Sequence, residues 1–487
     1  MGLRRGSLLV AAGALVPLLL FLAAERRVAG ESGFPLDDSW IHLHFARNLA
    51  EGRGFAYNPG VPVAGSTAPL WTLLLGLAFR LAGPSVLLVK VLGVAATVLA
   101  ALLTPRAAAG FGAAAPAGTA AGLALLVTGP MAWGSLSGME VPLAAALVAG
   151  ALAADGAGRE PVAAALAALA PLARPEALVF SVLLALARPS RRRLLLFGGL
   201  TAAALAPAVV FSLVTVGAPL PATAAAKVEG GLLGVLSGLP EPWRRLLLDR
   251  PADYLGRWGR WLWTTHPGLP LALPVALVAV WWRRGAALGV PALALLLHPL
   301  ALALLAPYQG PDFQEGRYSA HLLPLAFVVL AVALGSRWSP ARTALAALWL
   351  GLALVALLPA AHRYAWGVQN INAMQVHLGR WVDEHLPPRA RLAVNDIGAI
   401  AYLSRREVID LMGLVTPEII PYRRRGEPGV IEFLRRRCPD YAIVFPAWFP
   451  RLAADRSLLE PIYRVRLARN VVAGAPEMVV YRLRCGV

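Results

Sequence analysis

Residues 67–82 read TAPLWTLLLGLAFRLA, and whether this run crosses a bilayer decides the orientation of everything after it. If it lies in the interface, the loops holding Arg106, Arg159, Arg188, Arg191, Arg192, Arg193, Arg283, Arg284, Arg337 and Arg342 share one side with Arg4 and Arg5. The positive-inside rule makes that side cytoplasmic. If it spans, most of this arginine series faces outward. The run therefore reads as an interfacial or re-entrant helix, with Trp71 suited to the headgroup region.

Around it the chain is written for hydrocarbon. Its 487 residues are 58% hydrophobic and 15% charged, against the roughly 25% charge of an ordinary soluble domain. Apolar runs near 7–24, 85–103, 113–129, 139–154, 161–173, 175–187, 194–216, 269–282, 286–306, 320–335 and 341–360 predict about eleven spans. Several are short and need tilt, proline kinks or local thinning. The first run is too long for a signal-peptide core and lacks a small-residue cleavage site, so it reads as an uncleaved span.

The net charge of +18 is almost entirely arginine, with lysine only at Lys90 and Lys227. The arginines fall between apolar spans and no nucleic-acid-binding signature accompanies them, so nucleic acid is excluded as a partner. Anionic headgroups of membrane lipids or a lipid phosphate suit them better. The Ala, Leu, Arg, Pro and Gly bias points to a GC-rich bacterial genome.

From about residue 361 the pattern changes. This segment has 19 Arg against 12 Asp plus Glu, and its apolar runs are too short to cross. A helical pattern at 368–386 precedes β-like runs at 391–395, 408–412 and 441–445 and a closing hairpin at 462–469 and 477–484. Strands alternating with helices predict a small α/β domain. The expected fold class is mainly α: a polytopic membrane bundle over 1–360, with interfacial helices in its first outer loop and an extracytoplasmic α/β domain over 361–487. Cys438 and Cys485 both lie in that domain. They could pair in an oxidising compartment, and two unpaired structural thiols are the plainer alternative.

The chemistry is expected on the outer side, in DDSWIHLHFARNLAEGRGFAYNPG, residues 37–60. Asp37 and Asp38 stand at the mouth of a span, where charge is costly unless it has a task or a partner. Helix capping explains one aspartate but not two. On a helix starting near Ser39, Asp38, His42 and Phe45 share a face, so Asp38 and His42 could hold a divalent cation. No further ligand pattern completes such a site. His44 points away and reads as interfacial. Tyr57 and Asn58 fall at a turn, as either plain loop residues or substrate contacts.

Other outward clusters could converge there. Glu140 opens a span, and Arg174 with Glu176 sits at a hairpin turn, as an ion pair or as substrate contacts. Lys227 suits a phosphate as a point charge. QGPDFQEGRYSAHLLP (309–324) adds Glu315, Arg317, Tyr318 and His321, with Arg317 a natural phosphate clamp.

In sequence order these segments, with WGSLSGMEVPL, ARPEAL, GAPLPATAAAK and NDIGAIAYLSRREVIDLMGL, resemble the GT-C superfamily of integral-membrane glycosyltransferases. The likeness runs nearly end to end, and is strongest to bacterial arabinofuranosyl- and mannosyltransferases using polyprenyl-phosphate sugars. It implies a transferase of the cytoplasmic membrane that passes a sugar from such a donor to a glycan, glycolipid or protein acceptor on the outer face. Asp37 and Asp38 match the family's acidic motif, one of them as general base, and some members place a divalent metal nearby. Lys227, Arg317 and Arg174 match the basic residues that hold the lipid phosphate. His42, after the acid pair, departs from the expected pattern. A polytopic lipid or sugar transporter or flippase is the competing class, against which stand the absence of repeat symmetry, the small number of ionisable residues at mid-span and the sizeable outer domain.

Overall fold

The computed structural model describes residues 3–484. The chain forms two compact units. The first comprises Met1–Leu22, Lys90–Pro207 and Val228–Ala361, and the second Ala23–Val89, Ala208–Lys227 and His362–Val487. The second is thus not the C-terminal segment alone, because two earlier stretches fold with it.

All eleven apolar runs are helical. Among the described residues six helices are long and apolar enough to cross a membrane, and eight if each of two bent pairs is one span. The pairs are Ala115–Leu126 with Gly129–Leu136, bent by 59°, and Arg245–Thr265 with Leu269–Arg284, bent by 104°. Val141–Gly156, Glu160–Ala173 and Pro175–Leu186 are shorter. Length therefore supports eight of the eleven expected spans.

Inside the first unit, small residues let helices approach closely. A Cβ on Gly110 would meet the backbone of Gly156 at 2.8 Å, the close backbone approach that glycine and alanine permit between membrane helices. Such packing leaves few places for a polar side chain, which makes the buried charges near Arg174 conspicuous.

The second unit is built on a five-stranded sheet, β1 (Arg391–Val394), β2 (Glu407–Asp410), β3 (Tyr441–Val444), β4 (Leu459–Arg466) and β5 (Glu477–Leu483), in the order β2-β1-β3-β5-β4. Strands β1, β2 and β3 are parallel, and β5 runs antiparallel to β3 and β4. Alternation along each strand sends side chains to two cores. Leu392, Val394, Tyr441 and Ile443 enter one with Ile400 from the helix Gly398–Ser404. Ala393, Ala442 and Val444 enter the other with Phe433 and Leu434 from the helix Glu427–Arg437. The two crossovers thus lie on opposite faces, the doubly wound arrangement.

The first core also contains Ile41, Phe45, Tyr57 and Val63. The helix Asp37–Ala50 is therefore part of the sheet's packing, fixed to it by apolar side chains more than 300 residues away in sequence. The helix Pro69–Ala82 lies against it and exposes Leu73, Leu77 and Leu81 in one stripe. That stripe fits an interfacial helix, but Trp71 is wholly buried rather than presented to headgroups.

Candidate active site

The acid pair opens the helix Asp37–Ala50 directly after Pro35 and an extended Leu36, which makes no side-chain cap. Neither aspartate is the expected N-cap of this helix, since both lie inside its first turn, where the helix dipole favours negative charge. Asp37 instead reaches the C-terminal segment. Its Oδ2 accepts from the Gly398 amide at 2.7 Å and its Oδ1 from the Ala399 amide at 2.8 Å. These are first-turn donors of Gly398–Ser404, a helix without a side-chain cap of its own, so Asp37 supplies acceptors that its N-terminus lacks. Glycine is required at 398, because a Cβ there would collide with the Asp37 carbonyl oxygen.

A third carboxylate, Asp396, lies two residues before Gly398. Its Oδ2 accepts from Gln375 Nε2 at 2.7 Å. Desolvation pushes the Asp37 carboxyl up to about 6, against the pull of the Ala399 and Gly398 amides, and Asp38 adds to the rise. Asp396 is held well above the ordinary range by desolvation and then by the charge of Asp37. A partly dehydrated carboxylate among like charges binds a proton more tightly, which makes it a better base near neutral pH.

Asp410 has a different task. Desolvation raises it to about 6 as well, but it accepts from the amides of Met412 at 2.7 Å, Val415 at 2.9 Å and Leu414. It ties the turn after β2.

Most other polar residues of 37–60 serve packing. His42 Nδ1 hydrogen-bonds Thr72 Oγ1 at 3.1 Å. His44 is buried, not interfacial, and stacks on Tyr57 at 4.2 Å. Desolvation and the neighbouring Arg47 push it down to about 3, so it is neutral, with Nε2 facing the Tyr57 carbonyl oxygen at 2.8 Å. Tyr57 donates its hydroxyl to the Ile397 carbonyl at 2.6 Å. Asn58 pairs through both side-chain atoms with the backbone of Val408, at 2.8 and 2.9 Å. These two turn residues pin the first loop to the C-terminal sheet. Lys227 follows the short helix Ala222–Ala226 in the same unit.

Asp38 and His42 do not gather a cation site. Among the described residues no group of three or more His, Cys, Asp or Glu could hold a metal ion, and His42 turns a ring nitrogen to a threonine.

The remaining predicted residues meet in the first unit. Buried Arg174 pairs through Nη1 with Glu140 and through Nε with Glu176 at 3.2 Å. Its guanidinium lies 4.5 Å from the Tyr318 ring centroid, and that of Arg317 lies 5.1 Å from it. Arg317 Nη2 also donates to the Tyr318 hydroxyl at 3.2 Å. Glu140, Arg174 and the adjacent Arg317 and Tyr318, from three separate stretches of sequence, thus form one cluster. The preceding turn is strained, with Gln314 and Glu315 at φ 50° and 60°, a left-handed pair that costs non-glycine residues energy. Glu315 contributes its carbonyl to Trp261 Nε1 at 3.2 Å. Cys438 is disulfide-bonded, and Cys485, the chain's other cysteine, lies outside the described residues.

The fold has solved counterparts. ArnT from Cupriavidus metallidurans, crystallised with undecaprenyl phosphate, superposes with a TM-score of 0.58 over 97% of both chains at 15% identity. The chain has the GT-C fold. It is accordingly a multi-pass membrane protein. A second GT-C structure, the oligosaccharyltransferase AglB from Archaeoglobus fulgidus with an inhibitory peptide and a dolichol-phosphate, matches with a TM-score of 0.58 at 12% identity, covering 90% of this chain and 69% of AglB. By sequence, residues 369–481 match a family described as a domain of unknown function, DUF8728. No curated protein matches the sequence.

Sequence reading missed Asp396 and Gln375. Asp396 stands at the carboxyl end of a parallel strand, a position that favours ligand sites in open α/β sheets, and this was the available cue.

Proposed function

We propose that this GT-C protein is a glycosyltransferase of the bacterial cytoplasmic membrane, moving a sugar from a polyprenyl-phosphate donor to a hydroxyl acceptor on the outer face. The observation that carries the reading is the carboxylate pair at the start of Asp37–Ala50, one member of which is anchored to the amides of Gly398 and Ala399. The solved relatives carry undecaprenyl phosphate or dolichol-phosphate; at these identities the likeness gives the fold, and the donor assignment belongs to this proposal.

Asp37 is assigned as a positioning residue, because both its oxygens accept backbone amides, and Asp38 as the general base. The acceptor oxygen attacks the anomeric carbon, its proton passes to the Asp38 carboxylate, and the bond to the phosphate oxygen breaks with its electron pair leaving on the polyprenyl phosphate. One displacement inverts the anomeric centre. Base assistance matters because a sugar hydroxyl is a weak nucleophile. Negative charge on the departing phosphate is assigned to Lys227, which belongs to the same unit as the acid pair; a fixed cation lowers the barrier by meeting charge as it develops. Outward placement of the acid pair and sheet follows from the arginine distribution of the loops, and the glycan, glycolipid or protein nature of the acceptor belongs to the same proposal.

The test is incubation of the purified full-length protein with a panel of polyprenyl-phosphate sugars, following free polyprenyl phosphate. Release by the wild type and its loss in a folded D38N protein supports the assignment. No release from any donor counts against transferase activity.

A further inference from the structure

The sheet has a switch point. From β1 the chain crosses to β2 on one side, and from β3 it proceeds to β4 and β5 on the other, so the connections leaving β1 and β3 diverge at their carboxyl ends. A crevice outside such a divergence is where open α/β sheets bind ligands. Asn395 and Asp396 stand there after β1 and Phe445 after β3, and Asn395 Oδ1 accepts from the Phe445 amide at 3.2 Å across that position.

Two buried polar groups, one on Gln375 against Asp396 and one on Asn395 next to it in the chain, lack partners among the described residues. Gln375 is fully buried, and its single partner, Asp396, fixes its orientation: Nε2 faces the carboxylate, and Oε1 has no hydrogen-bond partner among the described residues. Asn395 is 3% exposed, and its bond to Phe445 leaves Nδ2 in the same condition. Buried polar atoms are normally satisfied, so an acceptor left over beside the Asp396 carboxylate and a donor left over on the residue before it in the chain point to a ligand that makes both kinds of bond. A phosphate does not suit, because Asp37, Asp38 and Asp396 repel it. Neighbouring hydroxyls of a sugar, each able to donate and accept, do suit.

We propose that Asn395, Asp396 and Gln375, at the carboxyl end of β1, form the subsite that binds the hydroxyl groups of the acceptor sugar. The assignment rests on the glycosyl-transfer reading above and gives the C-terminal sheet a task in it. Asp37, tied to the helix that follows Asp396, couples this subsite to the segment carrying the base.

The test uses the full-length protein with octyl glycosides as acceptors and a diazirine-bearing octyl glycoside as a photolabel. D396N keeps an oxygen facing Gln375, and Q375M keeps volume without polar atoms. The acceptor KM should rise about tenfold in D396N and about fivefold in Q375M, with donor KM moving by less than about twofold. The wild-type photolabel should fall on peptides carrying residues 375 and 395–396 and be displaced by unlabelled octyl glycoside. An unchanged acceptor KM, a parallel rise in donor and acceptor KM, or labelling confined to other peptides would overturn the subsite. If the wild type turns over no donor, the transferase reading fails, and the labelled position still decides whether a sugar binds here. Should D396N unfold, Q375M and the wild-type label decide.

Discussion

The two units gather charge in opposite ways. Around Arg174 in the first, a buried cation lies between Glu140 and Glu176 and beside an aromatic ring. In the second, Asp37, Asp38 and Asp396 collect with like sign, steadied by the amides of Gly398 and Ala399 and by Gln375. Paired opposite charges lower each other's energy and become structural supports or anion clamps. Like charges in a partly dehydrated place relieve themselves by taking a proton, the behaviour of a base. The first cluster should therefore respond to mutation mainly through stability and the second mainly through rate.

The largest effect separating them is expected from D38N, which should slow transfer by about a hundred- to ten-thousand-fold while the melting temperature of the detergent-solubilised protein stays near wild type. Replacing Arg174 with Ala should do the reverse first. It leaves the buried Glu140 and the half-buried Glu176 without their cation, a change that costs about 3–5 kcal/mol, visible as a lowered unfolding transition. If Arg174→Ala melts like wild type, the cluster is not a structural support.

Gly398→Ala sharpens the second side of the contrast. A methyl there meets the Asp37 backbone, so the helix Gly398–Ser404 must shift, costing about 1–3 kcal/mol and lowering transfer through misplacement of the acid helix. Tyr57→Phe removes one buried hydrogen bond to Ile397 and should cost about 0.5–1.5 kcal/mol, read as a small drop in melting temperature with transfer nearly retained.

Protonation gives the smallest and most specific signal. The carboxyl of Asp37 sits at about 6 in the folded protein, above its value in an unfolded chain, so the folded state holds this proton more tightly. Stability from it is present at low pH and declines as pH rises from about 4 through about 6. Against D37N, which cannot titrate there, the wild type should lose melting temperature between pH 5 and pH 7.5. A difference independent of pH would mean that Asp37 is not desolvated. His44, held down to about 3, contributes the opposite slope in both proteins and cancels in the comparison.

Much of this was legible beforehand for stated reasons. Strands near 391, 408 and 441 showed as short β-like runs with helix-like pieces between them, and Asp37 and Asp38 showed because charge at a span's mouth is costly. Tyr57 and Asn58 were read from turn chemistry, yet their bonds go to Ile397 and Val408, partners that local sequence does not disclose. Asp396 and Gln375 lie 21 residues apart and meet only once the sheet forms. Trp71, placed by its residue type at the interface, is buried by the packing of the helices around it. The apolar runs at 139–154, 161–173 and 175–187 show helix type but not span length, because small residues in a tight bundle need not match bilayer thickness one by one.

The central claim, that an anchored acid pair serves as the base of a polyprenyl-phosphate sugar transfer, is tested most directly by the pH profile of polyprenyl phosphate release by the purified full-length protein, with wild type and D38N side by side. The account predicts a wild-type rate that rises with pH as the acid pair ionises, and a D38N rate near background throughout. Equal release by the two proteins, or none by the wild type from any donor, would contradict it.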